Sequence, residues 1–503
     1  MRTKQAFKSI LSSTLLLILT ILSGFALPRL MLEYFGSELN GLIASITQFL
    51  GYIIIMEAGL GGVIRAALYK PLADGEDETV SAIIKATQDF FKSIGYIFVL
   101  YLIFLAIVYP YLVKDEYDFL FTFFLIIIIG SSTFFKFYFG ISYQILIEAN
   151  QQKYVTNFIQ MFTVLGSTLI MILLIIFGAP IHIVMLSTMC VYSFRPLLLK
   201  WYVKRHYHLD SEVDPDKTAL KQRWDGFGHH IAYMLHMNTD IAILTLFTNM
   251  RVVSVYAVYY IVIASVRNII NLFSHGVDAA FGNVIANEEK ELMIEKFNMY
   301  EYGMFAIITV TFTVTNIMIL PFIRIYTSGI TDVNYIRPEF AILIVLAEVI
   351  YSIRKPYNTI IKAAGHYRQT RGIAYTEALI NISVSVVLSI QFGLIGVAVG
   401  TLTAMLYRTL LYVHYLSKNI LYRSLWSFAK KVLVFSASAL ITTIIVNVLP
   451  EISVTNFSSW IIYAIQVTTL SSAVTLVLSV FFYKNELLDI LSIFRNIVHV
   501  RVH

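Results

Sequence analysis

The sequence predicts an all-α, polytopic membrane protein. Residues 10 to 483 form a nearly continuous series of apolar segments. A spanning helix needs about 20 mostly apolar residues, so these segments correspond to about 14 transmembrane helices. The chain has 503 residues, is 58% hydrophobic and has a mean hydropathy of +0.74. Only 14% of its residues are charged, whereas an ordinary soluble domain carries about 25%.

The predicted helices are joined mostly by short loops, so most neighbours should run antiparallel. No segment outside the membrane is long enough to bury a core of its own. The charged start and apolar body of the first helix resemble a signal peptide, but further spans follow, so we interpret it as an uncleaved helix. The predicted helices cover 10–32, 41–68, 86–113, 119–147, 154–178, 181–203, 226–248, 253–285, 298–325, 338–362, 372–391, 395–417, 430–449 and 459–483.

Two parts of the chain resemble each other at a shift of about 215 residues, which is typical of transporters built from repeats. For example, Ile145–Lys153 and Ile360–Arg368 each combine an apolar helix end, a turn and a basic residue. Each repeat contains six helices, and an even number returns the chain to the same side, so the repeats should be parallel. We therefore predict a six-helix bundle at 1–203, a cytoplasmic linker at 204–225, a second bundle at 226–418, and two extra helices with a tail at 419–503.

The basic residues predict the orientation. Lys and Arg in short loops accumulate on the cytoplasmic side. With both termini inside, most of the 37 Lys and Arg residues lie at the inner ends of the helices. No basic patch interleaved with aromatic residues lies on a soluble surface, so nucleic acid is not an expected partner. The loops on the outer side contain only Arg29, Lys114, Arg251, Arg324 and Arg337.

Several ionisable side chains fall well inside the predicted helices. If all of them faced lipid, the cost on an insertion scale would be roughly 25 kcal/mol, more than the net stability of about 5–15 kcal/mol of a typical protein. Most of them must therefore face the protein interior or a hydrated cavity, pair with each other, or extend to the membrane surface. These residues are Glu57, Lys136, Arg195, Asp240, Arg267, Glu348, Arg354, Lys355 and Arg408.

The spacing of polar residues predicts a cavity wall in the second repeat. Residues four, seven and eleven apart share one helical face. His229, Tyr233, His236 and Asp240 have this spacing in one predicted helix, and Arg267, Asn271, Ser274 and Asp278 have it in the next. Glu348 and Lys355 are seven apart and should also share a face. Pro356 removes a backbone donor and should kink its helix.

Each of these residues also has a structural interpretation. Arg195 and Arg408 lie near cytoplasmic helix ends, which favours extension to the surface over function. Glu57 fits a structural ion pair as well as a cavity role, and Asp278 fits simple solvation equally well. Lys136 fits a substrate contact or a surface anchor. Glycine groups such as Gly59, Gly61 and Gly62, and Gly393, Gly396 and Gly400, are interpreted as sites of close helix packing.

Several kinds of chemistry lack their sequence signals. No phosphate-binding G-x-x-x-x-G-K-[ST] loop, H-E-x-x-H pair or nucleophile motif is present. Cys190 is the only cysteine, so the chain alone can form no disulfide. We therefore expect a non-enzyme that uses no cofactor or metal.

Local motifs in an arrangement of two six-helix halves and two extra helices resemble the polysaccharide-biosynthesis branch of the multidrug/oligosaccharidyl-lipid/polysaccharide (MOP) exporter superfamily. The resemblance extends over nearly the whole chain, but its motifs are degenerate, so it indicates the superfamily better than the substrate. It is carried by Phe35–Leu42 (FGSELNGL), Glu57–Gly61 (EAGLG), Tyr69–Ala73 (YKPLA), Asp240–Leu244 (DIAIL) and Gly282-Asn283.

The resemblance implies a flippase in a bacterial cytoplasmic (inner) membrane. Such a protein moves a polyprenyl-diphosphate-linked oligosaccharide to the outer leaflet by alternating access, with membrane lipids and a polysaccharide polymerase complex as further expected partners. Two alternatives stay open: a cation-coupled multidrug exporter of the same superfamily, and a non-transport component of a glycan-assembly complex. We predict substrate contacts from Arg267, Arg354, Lys355, Lys136 and Asn271, and coupling-ion or gating roles for Asp240, Glu57, Glu348 and Asp278.

Overall fold

The architecture is taken from a computed structural model of the chain. It describes residues 2–53, 56, 60–210, 212–216, 239–274, 277, 281, 284, 290–449 and 454–500. The described residues form helices, turns and loops and contain no β-strand. Contacts divide the chain into two compact units, Met1–Ser254 and Val255–His503. The domain boundaries predicted from the sequence, and the repeat arrangement, stay predictions.

The first unit is a bundle of long apolar helices. The main contacts are made by α1 with α6, by α6 with α7, and by α3 with α4. A short helical stretch at 239–247 also belongs to this unit. Its helices are α1 Arg2–Gly51, α2 Leu60–Asp74, α3 Asp77–Leu112, α4 Phe119–Phe135, α5 Ile141–Ala149, α6 Lys153–Ile176 and α7 Ile181–His206, with a π-helical turn Lys136–Gly140 between α4 and α5.

The second unit is also a helical bundle. Its tightest pair is α12 and α13, and α13 also packs against α10. The chain enters this unit through α8, which begins at Met250. The helices are α8 Met250–Ser274, α9 Lys290–Tyr326, α10 Pro338–Ile353, α11 Lys355–Ala363, α12 Tyr367–Phe392, α13 Leu394–Asn419, α14 Trp426–Val448, α15 Phe457–Phe482 and α16 Lys484–Val500.

The protein is a multi-pass membrane protein: 11 helices among the described residues are long and apolar enough to cross a bilayer. The predicted count of about 14 differs for identifiable reasons. One long span, Phe7–Gly51, includes the first predicted helix and part of the second. The predicted helix at 338–362 is divided at Arg354, and the predicted helix at 226–248 lies largely outside the described residues. The full count stays a prediction.

Two long helices are interrupted where the sequence contains glycine or proline. Gly36 has φ 82° inside α1, a conformation that glycine adopts without the steric cost of a side chain. The predicted helix at 338–362 divides into α10 and α11 at Arg354, two residues before Pro356. Proline removes the donor and crowds the preceding turn, which explains a break at this point.

Close helix packing through glycine occurs in the second unit. A Cβ added to Gly396 would lie 2.6 Å from the backbone nitrogen of Ser389, and one on Gly400 would lie 2.6 Å from that of Ser385. The packing interpretation is therefore confirmed for these two glycines. A Cβ on Gly62 would meet no atom of the described residues within 4 Å, so close packing at this position stays a prediction.

Candidate functional site

A buried ion pair connects α8 and α10 in the second unit. The Arg267 Nε atom donates to Glu348 Oε1 at 2.7 Å, and its Nη2 atom donates to Glu348 Oε2 at 2.6 Å. Only 12% of the Arg267 side chain and 4% of the Glu348 side chain are exposed. Two parallel bonds from a planar guanidinium fix both the distance and the angle of this pair.

A second buried arrangement places one carboxylate between two arginines. Glu377 on α12 is fully buried. Its Oε1 atom accepts from Arg354 Nη1 at 2.7 Å, and its Oε2 atom accepts from Arg408 Nη1. Arg408 also donates to the hydroxyl of Tyr412 at 2.9 Å. Removing Glu377 would leave two buried cations without their shared carboxylate.

Tyr351 connects the two arrangements. Its ring centroid lies 5.5 Å from the Arg267 guanidinium carbon, 5.2 Å from that of Arg354 and 5.6 Å from the Lys355 Nζ atom. These distances are within the range of cation–π attraction. Lys355 Nζ also donates to the side-chain oxygen of Asn271. We call Arg267, Asn271, Glu348, Tyr351, Arg354, Lys355, Glu377 and Arg408 the Tyr351 cluster.

The Tyr351 cluster contains more positive than negative charge. Four of its side chains are cationic and two are carboxylates, which leaves an excess of two positive charges within the cluster. In addition, the buried Nε atom of Arg408 has no hydrogen-bond partner among the described residues. Charge is costly to bury unless it is paired, so this arrangement favours an anionic ligand.

The cluster lies toward one end of its helices. Arg267 is roughly 26 Å along α8 from Met250, and Glu348 is roughly 15 Å along α10 from Pro338, at 1.5 Å per residue. Arg354 follows the last residue of α10. In the predicted orientation both helices start on the outer side, so the cluster would occupy the cytoplasmic half of the bilayer.

The structure brings together five of the nine predicted site residues: Arg267, Asn271, Glu348, Arg354 and Lys355. Arg267 bonds to Glu348 on α10 and Asn271 accepts from Lys355 on α11, which agrees with the shared helical face that their spacing predicts. The helix break at Arg354 places Glu348 on α10 and Lys355 on α11. The roles of these residues stay predictions.

The remaining predicted residues are placed differently. Lys136 lies in the first unit, where it begins the π-helical turn and its Nζ atom is 5.1 Å from the Phe137 ring centroid. Asp240 is also in the first unit, is 8% exposed and interacts electrostatically with Tyr52. Glu57 and Asp278 lie outside the described residues.

Two features of the cluster were not expected from the sequence. Glu377 was not predicted to be a buried charge, because the predicted helix begins at residue 372 and this start places Glu377 in the second turn. The structure begins α12 at Tyr367, so this residue lies one turn deeper. The interpretation of Arg408 as extending to the surface is wrong, since it is 8% exposed and bonded to Glu377.

The first unit contains a related arrangement built mainly from amides. Arg195 on α7 donates through Nη2 to Gln144 Oε1 at 3.0 Å and to Gln160 Oε1 at 3.2 Å. Gln144 donates to Glu148 Oε1 at 2.8 Å, and Arg65 donates to Glu148 Oε2 at 3.1 Å. Arg195 therefore has specific protein partners, so surface extension does not describe it either.

A third buried group connects α14 to α9 within the second unit. Glu301 on α9 is fully buried. It accepts from both terminal nitrogens of Arg423, at 2.6 and 2.7 Å, and from the hydroxyl of Tyr357, while Lys431 Nζ lies 3.1 Å away. Because Arg423 lies three residues before α14 and Lys431 lies on it, Glu301 holds α14 against α9.

Comparison with known proteins identifies the fold. No known family model and no curated protein sequence matches the chain significantly. The solved structure of the lipid II flippase MurJ in an inward closed conformation superposes with a TM-score of 0.70 at 16% identity, covering 95% of this chain and 99% of that chain.

Multidrug transporters share the same architecture. An inward-facing multidrug resistance MATE family transporter of the MOP superfamily has a TM-score of 0.64 at 12% identity, covering 82% of this chain and 98% of that chain. The Vibrio cholerae MATE transporter VcmN in its bent form has a TM-score of 0.53 at 13% identity, covering 84% and 99%. The chain therefore has the fold of these transporters, and identities this low establish the fold alone.

Proposed function

We propose that the protein is a flippase that carries a polyprenyl-diphosphate-linked oligosaccharide from the cytoplasmic to the outer leaflet of a bacterial cell membrane. The observation that carries this proposal is the excess positive charge of the Tyr351 cluster. A diphosphate diester bears a negative charge on each phosphorus, so it matches the excess of two positive charges within the cluster. Arginine guanidinium groups also fit phosphate oxygens in paired hydrogen bonds.

The fold supports the same proposal. MurJ, which shares the architecture over 95% of this chain, is itself a lipid II flippase. Its lipid-linked substrate belongs to the chemical class proposed here. With both termini in the cytoplasm, the Tyr351 cluster would face the leaflet in which such a substrate is assembled. Alternating access would then carry the polar head across while the lipid tail stays in the bilayer.

A cation-coupled multidrug exporter is the second candidate, because MATE transporters share the fold. The Tyr351 cluster argues against a cationic drug at this position, since like charges repel in a poorly hydrated site. Cation-dependent coupling would have to use a carboxylate such as Glu348 or Asp240. Efflux of a cationic dye such as ethidium distinguishes this candidate from the flippase. If the protein instead has a non-transport role in glycan assembly, neither lipid flipping nor dye efflux should be observed.

The most direct test replaces Lys355. Arg267→Ala or Arg354→Ala would remove a partner from a buried carboxylate, whereas the hydrogen bond of Lys355 goes to the neutral amide of Asn271. We expect Lys355→Met to weaken binding of undecaprenyl diphosphate in nanodiscs by about tenfold or more, the loss of one charge-assisted hydrogen bond. Native mass spectrometry measures this affinity directly. Undecaprenol, which lacks the diphosphate, is the comparison ligand.

The matched control is Lys418→Met, the same change at an exposed lysine near the end of α13. It should bind undecaprenyl diphosphate as the unaltered protein does. Equal binding of undecaprenyl diphosphate and undecaprenol, or equal binding by the two variants, would contradict the proposed role of the cluster.

A further inference from the structure

A groove in the first unit, separate from the Tyr351 cluster, carries a second inference. It has a volume of about 420 Å³, which is within the range of small-ligand sites. Three helices form it. Leu16, Leu17 and Thr20 line it from α1, Gln144 and Glu148 from α5, and Asn157 and Gln160 from α6.

The hydrogen bonds of Arg195 orient the amides that line the groove. A guanidinium group only donates, so the carbonyl oxygens of Gln144 and Gln160 must face Arg195 and their NH₂ groups must point away from it. The NH₂ group of Gln144 is used by Glu148. Among the described residues, the NH₂ group of Gln160 has no hydrogen-bond partner. It can therefore donate to a ligand in the groove.

An acceptor lies one helical turn from this donor. The NH₂ group of Asn157 donates to the hydroxyls of Ser12 and Ser13, both at 2.9 Å, which leaves its carbonyl oxygen as an acceptor. Residues three apart on a helix are neighbours on one face. Asn157 and Gln160 thus present an acceptor and a donor side by side. This pair suits a ligand hydroxyl, which both donates and accepts.

The other walls of the groove indicate an amphiphile. Leu16 and Leu17 provide apolar surface on α1, whose neighbouring side chains Leu15 and Ile18 are exposed as expected for a lipid-facing helix. Glu148, the carboxylate of the groove, is paired with Arg65. Among the described residues of the lining, Lys153, an exposed lysine at the start of α6, is the one cation. The groove therefore lacks the concentrated positive charge of the Tyr351 cluster and combines mostly neutral polar groups with an apolar wall.

We propose that this groove binds the hydroxyl-rich, uncharged sugar head of a glycosylated membrane lipid. The assignment does not depend on the flippase proposal, because it concerns a different group of residues and a ligand without phosphate. The Asn157 and Gln160 amides recognise sugar hydroxyls. The leucines of α1 contact the first methylene groups of the lipid.

The test uses Gln160→Glu. A glutamate retains an oxygen for Arg195, so the fold is preserved, but it replaces the NH₂ donor with a second acceptor. We expect the affinity for glucosyl diacylglycerol in nanodiscs to fall about tenfold, as for the loss of one good hydrogen bond from a ligand site. Affinity is measured by native mass spectrometry, with phosphatidylglycerol as the anionic lipid for comparison.

The control is Gln391→Glu, the same substitution at an exposed glutamine in the second unit. It should bind glucosyl diacylglycerol normally, and Gln160→Glu should still bind undecaprenyl diphosphate. The assignment is overturned if Gln160→Glu retains full affinity for the glucosyl lipid, or if the unaltered protein prefers phosphatidylglycerol to it.

Discussion

Arg195 in the first unit and Arg408 in the second unit each lie on the last helix of a predicted six-helix repeat, yet their surroundings differ in charge. Arg195 donates to the neutral amides of Gln144 and Gln160. Arg408 instead shares the buried carboxylate of Glu377 with Arg354. The Arg195 guanidinium joins three helices of the first unit, whereas in the second unit the Glu377 carboxylate on α12 makes the connections, to Arg408 on α13 and to Arg354 at the end of α10.

Because the surroundings of Arg195 and Arg408 differ in charge, we expect the two arrangements to bind different classes of ligand. Neutral amides satisfy an arginine while leaving polar groups for a neutral ligand. A carboxylate between two arginines makes a rigid ionic group in which every partner depends on the others, because buried charges without partners are costly. This difference is the basis on which we propose recognition of hydroxyls in the first unit and recognition of phosphate in the second.

The largest expected effect comes from Glu377→Gln, which removes the carboxylate from two buried arginines. We expect a loss of about 3–5 kcal/mol in the free energy of unfolding. The matched change in the first unit, Gln160→Leu, should cost less, about 1.5–3 kcal/mol, because it removes one hydrogen bond from Arg195 while the bond from Arg195 to Gln144 remains. Thermal unfolding followed by size-exclusion chromatography in detergent compares the two. Equal losses would mean that the charge difference has no energetic consequence.

A medium effect is expected from glycine packing. In the second unit, Gly400→Ala places a Cβ 2.6 Å from the Ser385 backbone nitrogen, so α12 and α13 must separate, at a cost of about 1–3 kcal/mol. In the first unit, a Cβ on Gly166 would lie 3.7 Å from Val191. Gly166→Ala should therefore be neutral or stabilising, by up to about 1 kcal/mol from helix propensity. The same unfolding measurement applies, and a greater loss for Gly166→Ala would reverse the comparison.

The smallest effect is expected from Gln160→Glu, which gives Arg195 a carboxylate like that of Arg408. Because Gln160 is only half-buried, the new ion pair should change the free energy of unfolding by less than about 1 kcal/mol. A gain of several kcal/mol would show that the first unit can hold an ionic group as rigid as that of the second unit.

Much of the fold follows from the sequence. Backbone groups in hydrocarbon must satisfy their hydrogen bonds within the segment, so long apolar stretches have to form helices. The spacing of Arg267 and Asn271 also predicted a shared face, and both side chains meet partners on neighbouring helices. The predicted starts of the helices were less accurate. The helix predicted from residue 372 begins five residues after the observed start of α12, and for this reason Glu377 was not predicted to be a buried charge.

The apolar segments are enough to predict a series of spanning helices whose internal charges avoid lipid, because both conclusions depend only on the solubility of each segment in lipid. Which charges meet depends on the packing of the helices. Glu377 bonds to residues 23 and 31 positions away, on other parts of the chain. Periodicity specifies which face of its own helix a side chain occupies, but the partner on that face depends on how the helices pack.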